Sequence, residues 1–334
     1  MPTALPLHLT ELLRHWGPRW HHDIGAGRDA MLAAWAPLLE AGSAGGEAVR
    51  VEPELAYGRH PRQVLDVHVP AKASQALPVM VFVHGGAFVR GDRQLTPRVY
   101  ANVPTEFARH GFVACNVEYR LAPEAPWPGG AEDVREAVGW VARHVARWGG
   151  DPARIFLMGH SAACSHCATA VWDERLRQEE GPALRGLVLV SPRVAADVRP
   201  ENPNAHGVRA YYGEDPALHA SRSPMNQVRA DAPPTFVAAA QYENPLLDFQ
   251  AFELAHRLAQ AADALGAPMP RFVQYVDHNH TSIVTQFDTP HNALGEDIRD
   301  WCARVERGEF TRAQATDSTV PTGADPIKNV RAHR

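Results

Sequence analysis

The sequence predicts an α/β fold: a central, mostly parallel eight-stranded sheet with helices on both faces and a small helical cap. Three observations point there. Apolar runs of strand length recur at 78–86, 112–120, 154–160, 184–191, 234–243 and 271–278, as strands covered on both faces read. Segments with helical spacing separate these runs, the alternation that builds a parallel sheet. Two further segments, VRVEPELAYG (49–58) and QVLDVHVP (63–70), alternate apolar and polar residues instead, which predicts half-exposed antiparallel strands at one edge.

Taken in order, residues 7–45 read as helices, with Leu7, Leu9, Leu12, Leu13 and Trp16 and then Met31, Leu32, Trp35, Leu38 and Leu39 at helical spacing, until Gly42 and Gly45-Gly46 break the pattern. Residues 1–46 form an N-terminal helical segment that packs outside the sheet or joins a cap. The main domain spans 47–308. Within it, helices are expected at 97–109, at 131–148 (Val134, Val138, Val141, Val145, Trp148), after the strand at 154–160 as far as about 179, at 246–265 and at 289–307. The irregular stretch 193–232, rich in Pro, Asn and Arg, reads as an insertion over the sheet, and 309–334 as a flexible polar tail.

Bulk properties exclude several functions. The 334 residues carry 33 Lys and Arg against 38 Asp and Glu, a net charge of −5 with no basic block, so nucleic acid is not an expected partner. Four cysteines, Cys115, Cys164, Cys167 and Cys302, are too few for a disulfide framework. The N-terminus lacks the basic and long apolar regions of a secretion signal, and no apolar run approaches the length of a membrane span. A soluble, cytoplasmic protein is the expectation, and a homodimer is compatible with it.

The chemistry concentrates at strand ends. In RIFLMGHSAA (154–163), Ser161 stands at a strand-to-helix junction between Gly159 and Ala163. This is nearly the G-x-S-x-G turn that lifts a serine hydroxyl out of the backbone, with Ala in place of the last Gly. After the strand at 78–83 comes His84-Gly85-Gly86-Ala87-Phe88, whose glycines let backbone N–H groups aim at one point. Gly85 and Gly86, with Ala162 at the helix start, are the candidate oxyanion donors. After the strand at 234–243 come Glu243 and, further on, Asp248. After the last strand comes Asp277-His278-Asn279-His280-Thr281-Ser282. A nucleophile, an acid and a histidine thus follow in the chain order that the serine turn requires.

HGGAF (84–88), YRLAPEAPWPGGAEDV (119–134) and GGDPARIFLMGHSA (149–162) together resemble the hormone-sensitive-lipase-like branch of the α/β-hydrolases, and also bacterial carboxylesterases and kynurenine-formamidase-type enzymes. The resemblance covers about residues 50–305. It implies an α/β-hydrolase fold, Ser161 as nucleophile, and oxyanion donors at Gly85, Gly86 and Ala162. At the acid the chain departs from the usual Asp-Pro-Leu-x-Asp, reading Glu243-Asn244-Pro245-Leu246-Leu247-Asp248. Glu243 is therefore the expected acid and Asp248 the alternative. HNHTSIV (278–284) resembles the formamidase and carboxylesterase pattern, in which the histidine followed by two residues and Ile is the base; that position is His280.

The expected activity is carboxylic ester hydrolysis through an acyl-enzyme on Ser161, acting on a small-molecule ester. An arylformamidase or amidase, or a non-catalytic binding member of the fold, are the alternatives. Phe88, His160 and Tyr211 are candidate pocket residues. Cys164-x-x-Cys167 has metal or redox spacing, but no second pair accompanies it, so buried thiols are expected and neither metal nor organic cofactor. Ala163 and Cys164 are expected to narrow the space beside Ser161.

Overall fold

The computed structural model describes residues 5–310 apart from 43–46, 73–75, 177–182, 230 and 266–267. Most of the tail and the Gly45-Gly46 break thus lie outside the described residues. The elements are α1 (Leu7–Trp16), α2 (Ile24–Gly42), β1 (Val49–Ala56), β2 (Val64–Pro70), β3 (Leu77–Val83), α3 (Asn102–Arg109), β4 (Val113–Val117), α4 (Gly129–His144), β5 (Gly150–His160), α5 (Ala163–Trp172), β6 (Leu184–Val190), α6 (Ala205–Tyr212), α7 (Pro216–Arg222), β7 (Thr235–Tyr242), α8 (Leu247–Leu265), β8 (Arg271–Asn279), α9 (Ser282–Thr285) and α10 (Ala293–Glu306). The strands form one eight-stranded sheet in the order β1-β2-β4-β3-β5-β6-β7-β8. β2 runs antiparallel to both β1 and β4, and β3 to β8 are parallel.

The period-two pleat sorts the strand residues into two cores. Val79, Val81, Val83, Ile155, Leu157, Leu187 and Leu189 face one side and pack with Val134, Val138 and Val141 of α4, Cys164 and Trp172 of α5, and Leu254 and Leu258 of α8. Met80, Phe82, Phe156, Met158, Val188 and Val190 face the other and pack with Val103 and Phe107 of α3 and Ile298, Trp301 and Val305 of α10. Burial on both faces explains why these strands read as continuous apolar runs. All five parallel pairings point the strand C-termini to one edge, where side chains of different segments converge.

Some boundaries differ from the sequence expectation. The helix expected at 97–109 begins at Asn102, the one at 131–148 runs from Gly129 to His144 and tightens into a 3-10 turn over Val145–Trp148, and the one at 289–307 begins at Ala293. The α5 helix closes at Trp172, short of 179. β2 is not half-exposed: Asp66 and His68 on its polar face are buried. Asp66 accepts from the Arg93 Nε (2.9 Å) and the Glu54 N–H (2.8 Å), and His68 Nδ1 meets Thr105 Oγ1 at 3.1 Å. The alternation was polar because these residues bond across a covered face.

The N-terminal helices form their own small cluster through Leu9, Leu13, Trp20, Met31 and Trp35. Arg14 reaches Asp277 on β8 at 3.0 Å, and the Trp20 indole N–H donates to Asn244 Oδ1 at 2.9 Å, tying this segment to the C-terminal sheet edge.

Candidate active site

The turn between β5 and α5 puts Ser161 at φ +57°, in the left-handed region that a non-glycine residue adopts at a cost of about 1–3 kcal/mol when its surroundings fix it. The surroundings do so: the Ser161 N–H donates to Val190 O on β6 (2.9 Å) and its carbonyl accepts the Arg193 N–H (3.2 Å). Gly159 is required by closeness, because a Cβ there would lie 3.0 Å from Ala163 and Cys164 backbone atoms. Ala163 and Cys164 do not narrow the space beside Ser161. Both are fully buried in the core behind the turn, and the Cys164 thiol points to Gly159 O (3.2 Å) and Val190 O (3.4 Å).

Two other strand ends complete the arrangement. After β8, His280 brings Nε2 to 3.0 Å from Ser161 Oγ and Nδ1 to 2.7 Å from Glu243 Oε2. A carboxylate only accepts, so Nδ1 carries the proton and Nε2 is left to accept from the serine hydroxyl. Glu243, just past β7 and 2% exposed, is itself fixed: Oε1 accepts from Ser191 Oγ (2.6 Å) and from the Ala240 N–H (2.8 Å). Ser191 ends β6 at φ +49°. Sequence reading missed this residue, although it occupies the same strand-end position as the recognised groups.

The alternatives to Glu243 and His280 sit elsewhere. Asp248 lies in the first turn of α8, where its carboxylate accepts the Phe249 N–H at 2.9 Å. Asn244 accepts from Trp20. His278 meets Ser282 Oγ at 3.1 Å, and burial pushes its imidazole down to about 4.

In the loop after β3, Gly86 (φ +154°) has no room for a side chain, since a Cβ would lie 1.7 Å from Arg90 O. Ala87 and Phe88 follow at φ +51° and +72°. His84 anchors the loop from behind: Nε2 meets Glu118 at 2.9 Å, Nδ1 meets Gly85 O at 2.8 Å, and the ring stacks on Tyr119 at 4.6 Å. Burial opposes ionisation of Glu118, but His84, the Arg93 N–H and Arg62 together hold it below the usual carboxylate range. The Gly85 backbone lies beside the Tyr100 hydroxyl and offsets part of the rise that burial imposes on that phenol. Among the described residues the N–H groups of Gly86, Ala87 and Ala162 have no hydrogen-bond partner. Sequence reading did not single out Ala87, which carries no glycine signal although its N–H has no partner either.

Of the pocket candidates, Phe88 and Tyr211 lie face to face, with centroids 4.7 Å apart and planes 1° apart, and each is 1% exposed. With Ala162, Val208 and Tyr212 they form a joint between α6 and the α5 start, and the Tyr211 hydroxyl meets His166 Nδ1 at 3.0 Å. They are packing residues rather than open pocket walls. His160 is 3% exposed; its Nδ1 meets the Tyr100 hydroxyl at 3.1 Å and its ring lies 4.9 Å from that of His280. Burial, with the nearby His280, keeps its imidazole neutral.

Cys115, Cys164, Cys167 and Cys302 are buried free thiols. Burial raises every one, Cys115 to about 12, which disfavours the reactive thiolate. Among the described residues no three His, Cys, Asp or Glu side chains gather as a metal site, and no helix is long and apolar enough to cross a membrane.

Comparison with known proteins bears on the fold. The BD-FAE family model matches residues 65–174, from β2 to just past α5. The hyperthermophilic esterase of Pyrobaculum calidifontis superposes with a TM-score of 0.66 over 93% of this chain and all of its own (100%), at 24% identity. The chain has the α/β-hydrolase fold of these esterases. Esterase LipI of Mycobacterium tuberculosis is 34% identical over 190 residues, covering 51% of this chain and 57% of the relative. Carboxylesterase NlhH of the same organism is 31% identical over 201 residues, 54% of this chain and 61% of the relative. The chain thus spans about half the length of the curated relatives it matches.

Proposed function

We propose that the protein is a serine carboxylesterase working through an acyl-enzyme on Ser161. The observation that carries this reading is the series Ser161 Oγ, His280, Glu243, at 3.0 and 2.7 Å. As the hydroxyl attacks an ester carbonyl, His280 Nε2 takes its proton. Glu243 keeps the imidazole in the receiving tautomer and stabilises it once charged. The N–H groups of Gly86, Ala87 and Ala162 receive the negative oxygen, each donor being worth about 100- to 1000-fold in rate. The alcohol leaves with the proton from His280, and water on the same base releases the acid.

The N-terminal helices and residues 193–232 act as the cap. Two contacts support this: the His21 ring reaches Glu243 O at 3.2 Å, and the Tyr211 carbonyl accepts the Trp127 N–H at 2.7 Å. The default substrate is an ester of a small or medium acid.

A panel of 4-nitrophenyl esters of increasing acyl length, run beside N-formylkynurenine, tests the reading. Ester turnover that Ser161→Ala abolishes, with circular dichroism unchanged, supports it. Turnover of the formamide alone replaces it with the amidase reading, and full esterase activity in Ser161→Ala overturns it.

A further inference from the structure

Two residues past Ser191 the chain places Arg193, whose side chain is 1% exposed and among the largest that are fully buried. Its backbone is part of the serine turn: its N–H donates to Ser161 O at 3.2 Å, and its carbonyl accepts from Ser165 Oγ. Its guanidinium is poorly matched. Of five N–H donors, Nη1 has Asn202 Oδ1 at 3.4 Å, and Nε is buried with no partner.

Other arginines show what is missing. Arg93, Arg109 and Arg120 are all more exposed, yet each holds a carboxylate, at 2.9, 2.6 and 2.6 Å. The carboxylates whose charge reaches Arg193, Asp197 and Glu243, are committed elsewhere. Asp197 takes Arg199 through both oxygens, at 2.9 and 2.6 Å. Glu243 takes His280, Ser191 and Ala240. Burial draws the Arg193 guanidinium down to about 10, so it remains a cation at neutral pH. A buried cation without its anion costs several kcal/mol, and a planar fork of donors matches a carboxylate in two parallel bonds.

We propose that Arg193 binds a carboxylate carried by the substrate, so that this esterase prefers esters with an anionic acyl or alcohol group. The proposal rests on the acyl-transfer reading above. The Arg193 backbone N–H donates to Ser161 O, which ties the residue to the turn that carries the serine. It sits in the segment 193–232, which otherwise carries packing residues such as Tyr211 and Tyr212.

The test compares matched esters on the full chain. On the acid side, mono-4-nitrophenyl glutarate is run against 4-nitrophenyl butyrate. On the alcohol side, 4-acetoxybenzoate is run against phenyl acetate. The wild type is expected to turn over one anionic ester at least as well as its neutral match, and the pair that responds identifies the side. Arg193→Met is expected to lower the ratio of kcat/KM on that ester to kcat/KM on its neutral match by about 10- to 100-fold, the worth of a charge-assisted pair. Equal losses on both esters, or wild-type rates more than about tenfold lower on both anionic esters, overturn the proposal. Should Arg193→Met not fold, inhibition of wild-type butyrate hydrolysis decides. Free glutarate must inhibit more strongly than glutaramide, and equal inhibition overturns the proposal. Turnover of neutral esters without any anionic preference leaves the acyl-transfer reading intact, whereas no turnover of any ester removes both.

Discussion

Glu243→Gln separates orientation of the base from mere filling of its site. In the wild type one carboxylate oxygen takes the Ala240 N–H at 2.8 Å and Ser191 Oγ at 2.6 Å, and the other takes His280 Nδ1 at 2.7 Å. Glutamine is nearly isosteric, so the fold survives. The Ala240 N–H is a fixed backbone donor on β7 and demands an oxygen. The amide nitrogen of the introduced glutamine is therefore turned toward His280. Two donors cannot face each other, so His280 Nδ1 gives up its proton and Nε2 takes it. Nε2–H then points at Ser161 Oγ, 3.0 Å away, and cannot receive the serine proton. Loss of the correct tautomer costs on the order of 1000- to 10000-fold in kcat, or about 4 to 5.5 kcal/mol at 1.36 kcal/mol per decade. The assay is kcat and KM on 4-nitrophenyl butyrate from pH 6 to 9, with circular dichroism as the folding control. A folded Glu243→Gln variant losing less than about tenfold would refute the assignment of the acid.

Other outcomes follow from the same geometry. His278→Gln is expected to keep kcat within about threefold, because His278 bonds Ser282 and not Ser161; a collapse comparable to that of His280→Gln would move the base. Trp20→Phe leaves the buried Asn244 oxygen without its donor and is expected to cost about 1–3 kcal/mol in urea unfolding; an unchanged midpoint would mean the N-terminal segment is not anchored there. Phe88→Ala removes a ring stacked on Tyr211 and is expected to destabilise by about 3–5 kcal/mol. A gain in activity on longer acyl chains at wild-type stability would instead restore Phe88 to the pocket. Burial lowers His68 and His278 to about 4 and His166 to about 3. Between the unfolded value of about 6.5 and these values the unfolded chain binds more protons. Stability is therefore complete above about pH 6.5 and falls as the pH drops toward 4. A thermal midpoint constant across that window would contradict this.

The sheet was legible because burial on both faces leaves a continuous apolar run. Order along the chain then placed Ser161, Glu243 and His280 at strand ends. What escaped depends on direction rather than residue type. Asp66 and His68 alternate like exposed residues but bond across a covered face. Gly85 and Gly86 look equivalent in sequence, yet only Gly86 sits at a positive φ with no room for a side chain. Ser191 and Arg193 carry no local motif. Their meaning comes from Glu243, 52 positions away in sequence, and from a guanidinium buried without its anion. The short α9 after His280 was likewise unread, being four residues long and below the length at which periodicity shows.

Mass spectrometry of the chain after treatment with a fluorophosphonate tests the central claim most directly. One phosphonyl group on Ser161, none on the Ser161→Ala variant, and loss of esterase activity in step with labelling are the predicted result. An active enzyme that takes up no label, or takes it on another residue, would contradict it.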